Sequence, residues 1–187
     1  MRIFILDNYD SFTYNLVHYL EELNCEVIVA RNDEVEMDDL VNFEALILSP
    51  GPGLPQESGD LMKVIEKYAT SKPMLGVCLG MQAIALYFGD TIKNQEVVKH
   101  GVQELANVVS PCILFENVSN QYAVGLYHSW EVKLSPTSIL IPTSFSENNV
   151  LMSLKHQFLP IYGVQFHPES ILTPEGKLIL QNFINSI

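Results

Sequence analysis

The stretch GVCLGMQ, Gly76 to Gln82, sets a cysteine between two glycines, with apolar residues on either side. Glycines at this spacing let a strand turn sharply into a helix and keep neighbouring Cβ atoms away from a reacting sulfur. The helix that follows aims the positive end of its dipole at Cys78 and favours thiolate, the nucleophilic form. The same residues also suit a buried thiol at a tight turn, and Cys78 alone does not separate the two. GVQFHPES, Gly163 to Ser170, does. There His167 ends an apolar strand, and Glu169 lies two residues on, the spacing that shares a face in extended chain. A histidine can take a thiol's proton, and a carboxylate on its far nitrogen holds the tautomer and stabilises the imidazolium. Pro168 fixes the bend between them. A solvated His-x-Glu strand end is common by itself. Paired with a cysteine between glycines, it points to a Cys78–His167–Glu169 triad. Pro50-Gly51-Pro52-Gly53 adds a rigid loop whose backbone N–H groups, with that of Leu79, suit a developing oxyanion.

These residues need elements to carry them. Arg2 to Asp7, Glu26 to Ala30, Ala45 to Ser49 and the PMLGV run up to Cys78 have strand length and strand composition. Phe12, Leu16, Leu20 and Leu23 recur at helical spacing, with Asp10 or Ser11 placed as cap. Asp38 to Phe43 suits a short helix, Leu61 to Tyr68 a longer one, and Met81 to Phe88 another closed by Gly89. This alternation predicts a parallel sheet with right-handed crossovers and helices on both faces. After about Asp90 the texture changes to short runs of antiparallel type: VQELANVV, CILFENV, YAVGLYHSWEV, SILIPTSF and NVLMSLKH. GVQF reads as a buried strand. Thr173 as cap, with Pro174 in the first helical position, starts a last helix running to about Ile187.

The 187 residues suffice for one well-cored domain, residues 1–187, and are too few for two comfortable ones. A net charge of −12 argues against nucleic acid or an anionic membrane as partner. No apolar run approaches the roughly 20 residues that span a bilayer, and MRIFILDNYD turns polar too early for a secretory signal. Cys25, Cys78 and Cys112 have neither metal-site spacing nor an even count, which fits a reducing, cytoplasmic compartment.

SPGPG, GVCLGMQ and GVQFHPES, in this order and at these separations, resemble the class I (triad-type) glutamine amidotransferases over essentially the whole chain. The resemblance implies an α/β fold, flavodoxin-like, with a mixed, mainly parallel sheet, helices on both faces and a β-rich second half. It implies hydrolysis of L-glutamine and transfer of ammonia to a synthase. Cys78 is then the nucleophile, His167 the general base and Glu169 its orienting carboxylate. Gly51, Pro52 and Gly53 line the glutamine site, with Gly53 or Gly51 and Leu79 as oxyanion donors. Gln82 and the pair Ser129-Trp130 hold the substrate's amino and carboxylate groups. LDNYDSFTYNL, YHSWEV and TPEG further resemble the branch serving anthranilate synthase and aminodeoxychorismate synthase. The implied partner is therefore a chorismate-binding synthase subunit, component I of either enzyme. No cofactor is expected in this chain, and magnesium is expected on the partner.

Three positions depart from that branch. Met81 stands where histidine is usual and is expected to pack. Val102 replaces the lysine of an HGK segment, His100-Gly101-Val102, expected near the partner. Trp130 replaces leucine where backbone contacts are expected. His18 is expected at the surface, His100 and His156 at the surface or facing a partner, and His128 in a structural role. Cys25 and Cys112 are expected to be inert, and the acidic run around Asp33 to Asp39 to form a solvated face. Two rivals are a stand-alone cysteine amidohydrolase and a silent regulatory module, the latter disfavoured because every triad position is filled.

Overall fold

The computed structural model describes residues 1–95 and 98–187. Strand and helix alternate through the first half: β1 (Arg2–Asp7), α1 (Thr13–Glu22), β2 (Glu26–Arg31), β3 (Ala45–Leu48), α2 (Leu61–Tyr68), β4 (Met74–Val77) and α3 (Leu79–Tyr87). The second half supplies β5 (Thr91–Asn94), β6 (Val102–Val108), β7 (Gln121–Leu126), β8 (Trp130–Lys133), β9 (Leu140–Ser146), β10 (Leu151–His156), β11 (Ile161–Val164) and a closing α4 (Gly176–Asn185). Among the described residues one nine-stranded sheet has the order β2-β1-β3-β4-β11-β10-β9-β6-β7, and β5 pairs with β8 apart from it. From β2 to β11 every pairing is parallel; from β11 to β7 every pairing is antiparallel.

Side-chain alternation assigns the layers. Ile3, Ile5, Ala45, Ile47, Leu75 and Val77 face one side, where they pack with Leu16 and Leu20 of α1 and Ile179, Leu180 and Phe183 of α4. Phe4, Leu6, Leu46, Leu48 and Met74 face the other, against Leu61, Val64 and Ile65 of α2 and Ile84 of α3. A sheet covered on both faces explains why these strands are continuously apolar and show no polar alternation. Met81 is fully buried in the second layer and lies against Gly163 of β11, which accounts for it as packing.

Several local expectations are corrected. CILFENV is no strand: Ile113–Phe115 is a single 3-10 turn that places Leu114 and Phe115 in the core. YAVGLYHSWEV breaks into β7 and β8, which belong to different sheets. Thr91–Asn94 forms a strand, β5, that short polar composition concealed. The first helix has Phe12 at its N-cap, with no side-chain cap; Asp10 instead accepts the Phe12 N–H at 2.8 Å in the preceding turn. Thr173 caps nothing either. Its hydroxyl donates to the His167 carbonyl at 2.7 Å and accepts the Gly125 N–H at 2.9 Å, tying the HPES loop to β7, and α4 starts later, at Gly176.

Gly176 marks how closely that loop is held. A Cβ there would sit 1.8 Å from the Pro168 carbonyl oxygen, which is backbone and cannot swing aside. Gly176→Ala is expected to destabilise the protein by about 3 kcal/mol, the upper range for overpacking. A lowered urea midpoint at unchanged slope checks this.

Candidate functional site

The cysteine, SPGPG and HPES motifs each follow the carboxyl end of a parallel strand. Asn8 follows β1, Ser49 to Gly53 follow β3, Cys78 follows β4, and Gln165 to Glu169 follow β11. This is the end at which open α/β sheets bind ligands. Since β4 and β11 are neighbours, with Val77 opposite Val164, residues almost ninety apart in sequence become adjacent. The Cys78 N–H donates to the Val164 carbonyl at 2.7 Å and locks the junction.

Cys78 has φ 51 and ψ −101, a strained conformation for a residue with a Cβ. Its flanking glycines allow it for a reason beyond bending. A Cβ on Gly76 would lie 2.4 Å from the Gly80 backbone, and one on Gly80 would lie 2.3 Å from the Leu48 carbonyl. Both glycines therefore let β3, β4 and the first turn of α3 come into backbone contact beneath the sulfur. Gly51 is wedged in the same way, between Asn8 and Leu79. Asn8 fixes the SPGPG segment through its N–H to Ser49 Oγ, 2.8 Å, and its amide to the Ser49 carbonyl, 2.9 Å. Gly53 takes φ +76, and Pro52 and Gly53 are exposed. Among the described residues no backbone carbonyl accepts the N–H of Gly53 or Leu79.

His167 and Glu169 are buried, and Nδ1 of His167 lies 2.6 Å from Oε1 of Glu169. An ionised carboxylate can only accept, so Nδ1 carries the proton and Nε2 is left to serve the sulfur. Nε2 is buried and has no conventional hydrogen-bond partner among the described residues. Burial works against the imidazolium, but the Cys78 sulfur and the Glu169 carboxylate outweigh it and push the His167 pKa up to about 10. Phe12 and Tyr127 pack their rings edge-on around the imidazole, with centroids at 5.5 and 4.8 Å. These rings help to shut bulk water away from His167, which is 2% exposed.

A raised imidazole has a readable consequence. An unfolded histidine titrates near 6.5, so the stabilisation that this imidazolium contributes is complete below about that pH and is lost as pH rises toward about 10. In ring-labelled NMR spectra, His167 is expected to stay protonated through neutral pH and to titrate lower in Cys78→Ala, which removes one cause of the shift.

The residues expected around the substrate are also near. Gln82 is the polar member of an otherwise apolar buried run, Leu79 to Ala85. Its amide donates to the Trp130 carbonyl and to Gln165 Oε1, both at 3.2 Å. Ser129 and Trp130 are half-buried, and the Ser129 carbonyl accepts the Gln95 N–H at 2.7 Å. His128 is buried, donates from Nδ1 to the Trp130 carbonyl at 2.8 Å, and is kept below the usual imidazole pKa by burial. Sequence reasoning missed Gln165, fully buried, whose amide lies 3.4 Å from the Cys78 sulfur. Its position two residues before His167, on the same strand face, was the available signal.

His18 is exposed and pairs with Glu22 at 3.0 Å. His156 is corrected from the surface to the interior: its Nδ1 accepts the N–H groups of Phe158 and Leu159, so it closes the β10–β11 turn. Asp10, His167 and Glu169 each bring a potential ligand atom within 4.8 Å of the others. Among the described residues no helix is long and apolar enough to cross a membrane.

Comparison with known proteins adds independent support. The family model described as glutamine amidotransferase class-I matches residues 4–187. A Bacillus subtilis protein named aminodeoxychorismate/anthranilate synthase component 2 is 42% identical over 187 residues, covering 98% of this chain and 96% of that one. A Cyanophora paradoxa anthranilate synthase component 2 is 41% identical over 190 residues, covering 99% of both. The solved structure of a Thermoplasma acidophilum protein assigned to GMP synthase superposes with a TM-score of 0.89 at 28% identity, over 99% of this chain and 92% of that one.

Proposed function

The chain belongs to the class-I glutamine amidotransferase family, and from that premise we propose that it is the glutaminase subunit of a chorismate-aminating synthase, in the first place anthranilate synthase of tryptophan biosynthesis. The observation that carries the reading is the buried 2.6 Å pair of His167 and Glu169 beside a cysteine held at a strained strand-to-helix turn. In this reading Nε2 of His167 already holds the Cys78 proton as an imidazolium–thiolate pair, and the sulfur attacks the side-chain amide carbon of glutamine. Leu79 and Gly51 or Gly53 donate N–H groups to the oxyanion. On collapse the C–N bond breaks, His167 protonates the leaving nitrogen, and ammonia departs from a glutamyl thioester. His167 then takes a proton from water, the hydroxide adds, the C–S bond breaks, and glutamate leaves. Pro52, Ser129 and Trp130 line the substrate's path in this scheme, while Gln82 keeps Oε1 for it. No metal or organic cofactor takes part here; magnesium belongs to the partner.

Ammonia is mostly ammonium in bulk water at neutral pH, so it reaches chorismate best through a closed interface with a component I partner. The same site would serve aminodeoxychorismate synthase in folate synthesis, and the Bacillus subtilis relative named for both enzymes favours that second reading. The chain is to be combined with chorismate-aminating subunits from its own source, glutamine, chorismate and magnesium, and the products separated. The expected product is anthranilate. Aminodeoxychorismate alone moves the protein to folate synthesis, and both products make it a shared ammonia donor. Formation of neither product, with partners that do work on ammonium ion, would contradict the proposal. Full glutamine turnover by the isolated chain would favour a stand-alone amidohydrolase.

A further inference from the structure

A run of hydrogen bonds ends on the nucleophile, and the chemistry of its members fixes its direction. The Trp130 carbonyl can only accept, and it takes His128 Nδ1–H at 2.8 Å and the Gln82 amide at 3.2 Å. Gln82 must therefore turn Nε2 toward it. The other N–H of the same nitrogen goes to Gln165 Oε1, again at 3.2 Å. With its oxygen so engaged, Gln165 presents Nε2 to the Cys78 sulfur at 3.4 Å, within reach of an N–H···S bond. Gln165 is 0% exposed and Gln82 3%, so bulk water does not compete along the run.

We propose that Gln165 is a further catalytic residue, whose amide N–H stabilises the Cys78 sulfur as an anion, and that Gln82 is the positioning residue that keeps this N–H turned to the sulfur. Its place in the reaction rests on the glutaminase reading; its effect on the sulfur does not. Hydrogen bonds to charged acceptors are stronger than those to neutral ones, so the contact favours thiolate over thiol. It matters most when His167 is committed elsewhere. During thioester hydrolysis the proton of the attacking water goes to His167. When the C–S bond breaks, its electron pair returns to sulfur, and the Gln165 N–H faces the charge as it forms. Both N–H and charge lie in a dry site built beforehand, which is where such stabilisation counts most. A carboxamide does not titrate in the working range, so this contribution is constant with pH, unlike that of His167.

The test compares the full chain with Gln165→Met and Gln82→Met. Alkylation of Cys78 by iodoacetamide at neutral pH is followed by mass spectrometry of the Cys78 peptide, which excludes Cys25 and Cys112. Glutamine-dependent and ammonia-dependent product formation with the synthase partner are measured on the same proteins. Gln165→Met is expected to slow Cys78 alkylation about tenfold or more and to lower kcat for glutamine with little change in KM. Gln82→Met is expected to slow Cys78 alkylation by less and, because its Oε1 is kept for the substrate, to raise KM for glutamine as well; ammonia-dependent synthesis is expected to persist. Should Gln165→Met fail to fold, Gln165→Glu keeps the shape and the acceptor for Gln82 while replacing the donor, and the same slowing is expected. Alkylation and kcat within twofold of the parent in the folded variants would overturn the proposal. A parent chain that hydrolyses no glutamine would sink the glutaminase reading, and the alkylation comparison would still decide the role of Gln165.

Discussion

Cys78→Ser is expected to remove glutamine-dependent synthesis by on the order of 10⁴-fold or more, while the complex continues to use ammonium ion. The substitution changes one atom. Serine fits the backbone at φ 51 as well as cysteine does, and the glycine contacts that hold β4 against α3 are untouched. What disappears is a sulfur that gives up its proton readily and attacks well; a hydroxyl does neither without a stronger base. Because chorismate chemistry lies on the partner in this account, an ammonium-fed assay reports that the chain still docks and folds. The two activities are measured on the same preparation, with glutamine or ammonium as nitrogen source. Retention of glutamine use by the serine variant would end the triad assignment. Loss of both activities would instead point to a collapsed site, which the intact backbone contacts argue against.

Glu169→Gln carries the second largest expected effect, a fall in kcat for glutamine of roughly 10⁴-fold, the scale seen when an orienting carboxylate becomes an amide. The geometry supplies the reason. Glu169 Oε1 accepts from Nδ1 at 2.6 Å, which keeps one proton there and leaves Nε2 to hold the one that Cys78 gives up. A carboxamide can donate to Nδ1 and so move the imidazole proton to Nε2, where it cannot receive one from sulfur. It also removes a cause of the raised His167 pKa, which must then fall. The stabilisation normally present below the unfolded value of about 6.5 and lost toward about 10 shrinks in the variant. Steady-state kinetics with glutamine and the His167 NMR titration check the two halves of this statement. A variant that keeps near-parental kcat, or whose imidazole titrates unchanged, contradicts it.

Much of this was legible in the sequence, for identifiable physical reasons. β1, β3 and β4 are covered on both faces, so their continuous apolar runs declared them strands. The motifs around Cys78 and His167 were legible because glycine, proline and a His-x-Glu spacing have few other uses together. What stayed hidden depends on tertiary contacts. Thr173 has the composition of a helix cap, yet its hydroxyl is spent between His167 and Gly125, which comes from an edge strand distant in sequence. CILFENV has the composition of a strand, but it packs as a turn against α4, with the Asn182 amide donating to the Leu114 and Glu116 carbonyls. For Gln165 the only signal was its spacing from His167; that its amide faces the sulfur depends on the orientation of Gln82, which depends in turn on the Trp130 carbonyl. His156 reads as a surface residue until the turn it closes is seen.

The central claim is that Cys78 is the group that glutamine acylates. It is tested most directly with an electrophilic glutamine analogue, a chloroketone in place of the carboxamide, incubated with the chain and its synthase partner. Peptide mass spectrometry after loss of glutamine-dependent activity is expected to find one adduct, on Cys78, whose formation free glutamine suppresses and whose presence leaves ammonium-dependent synthesis running. An adduct on Cys25 or Cys112 that tracks the inactivation, or labelling of Cys78 that glutamine does not slow, would contradict the account.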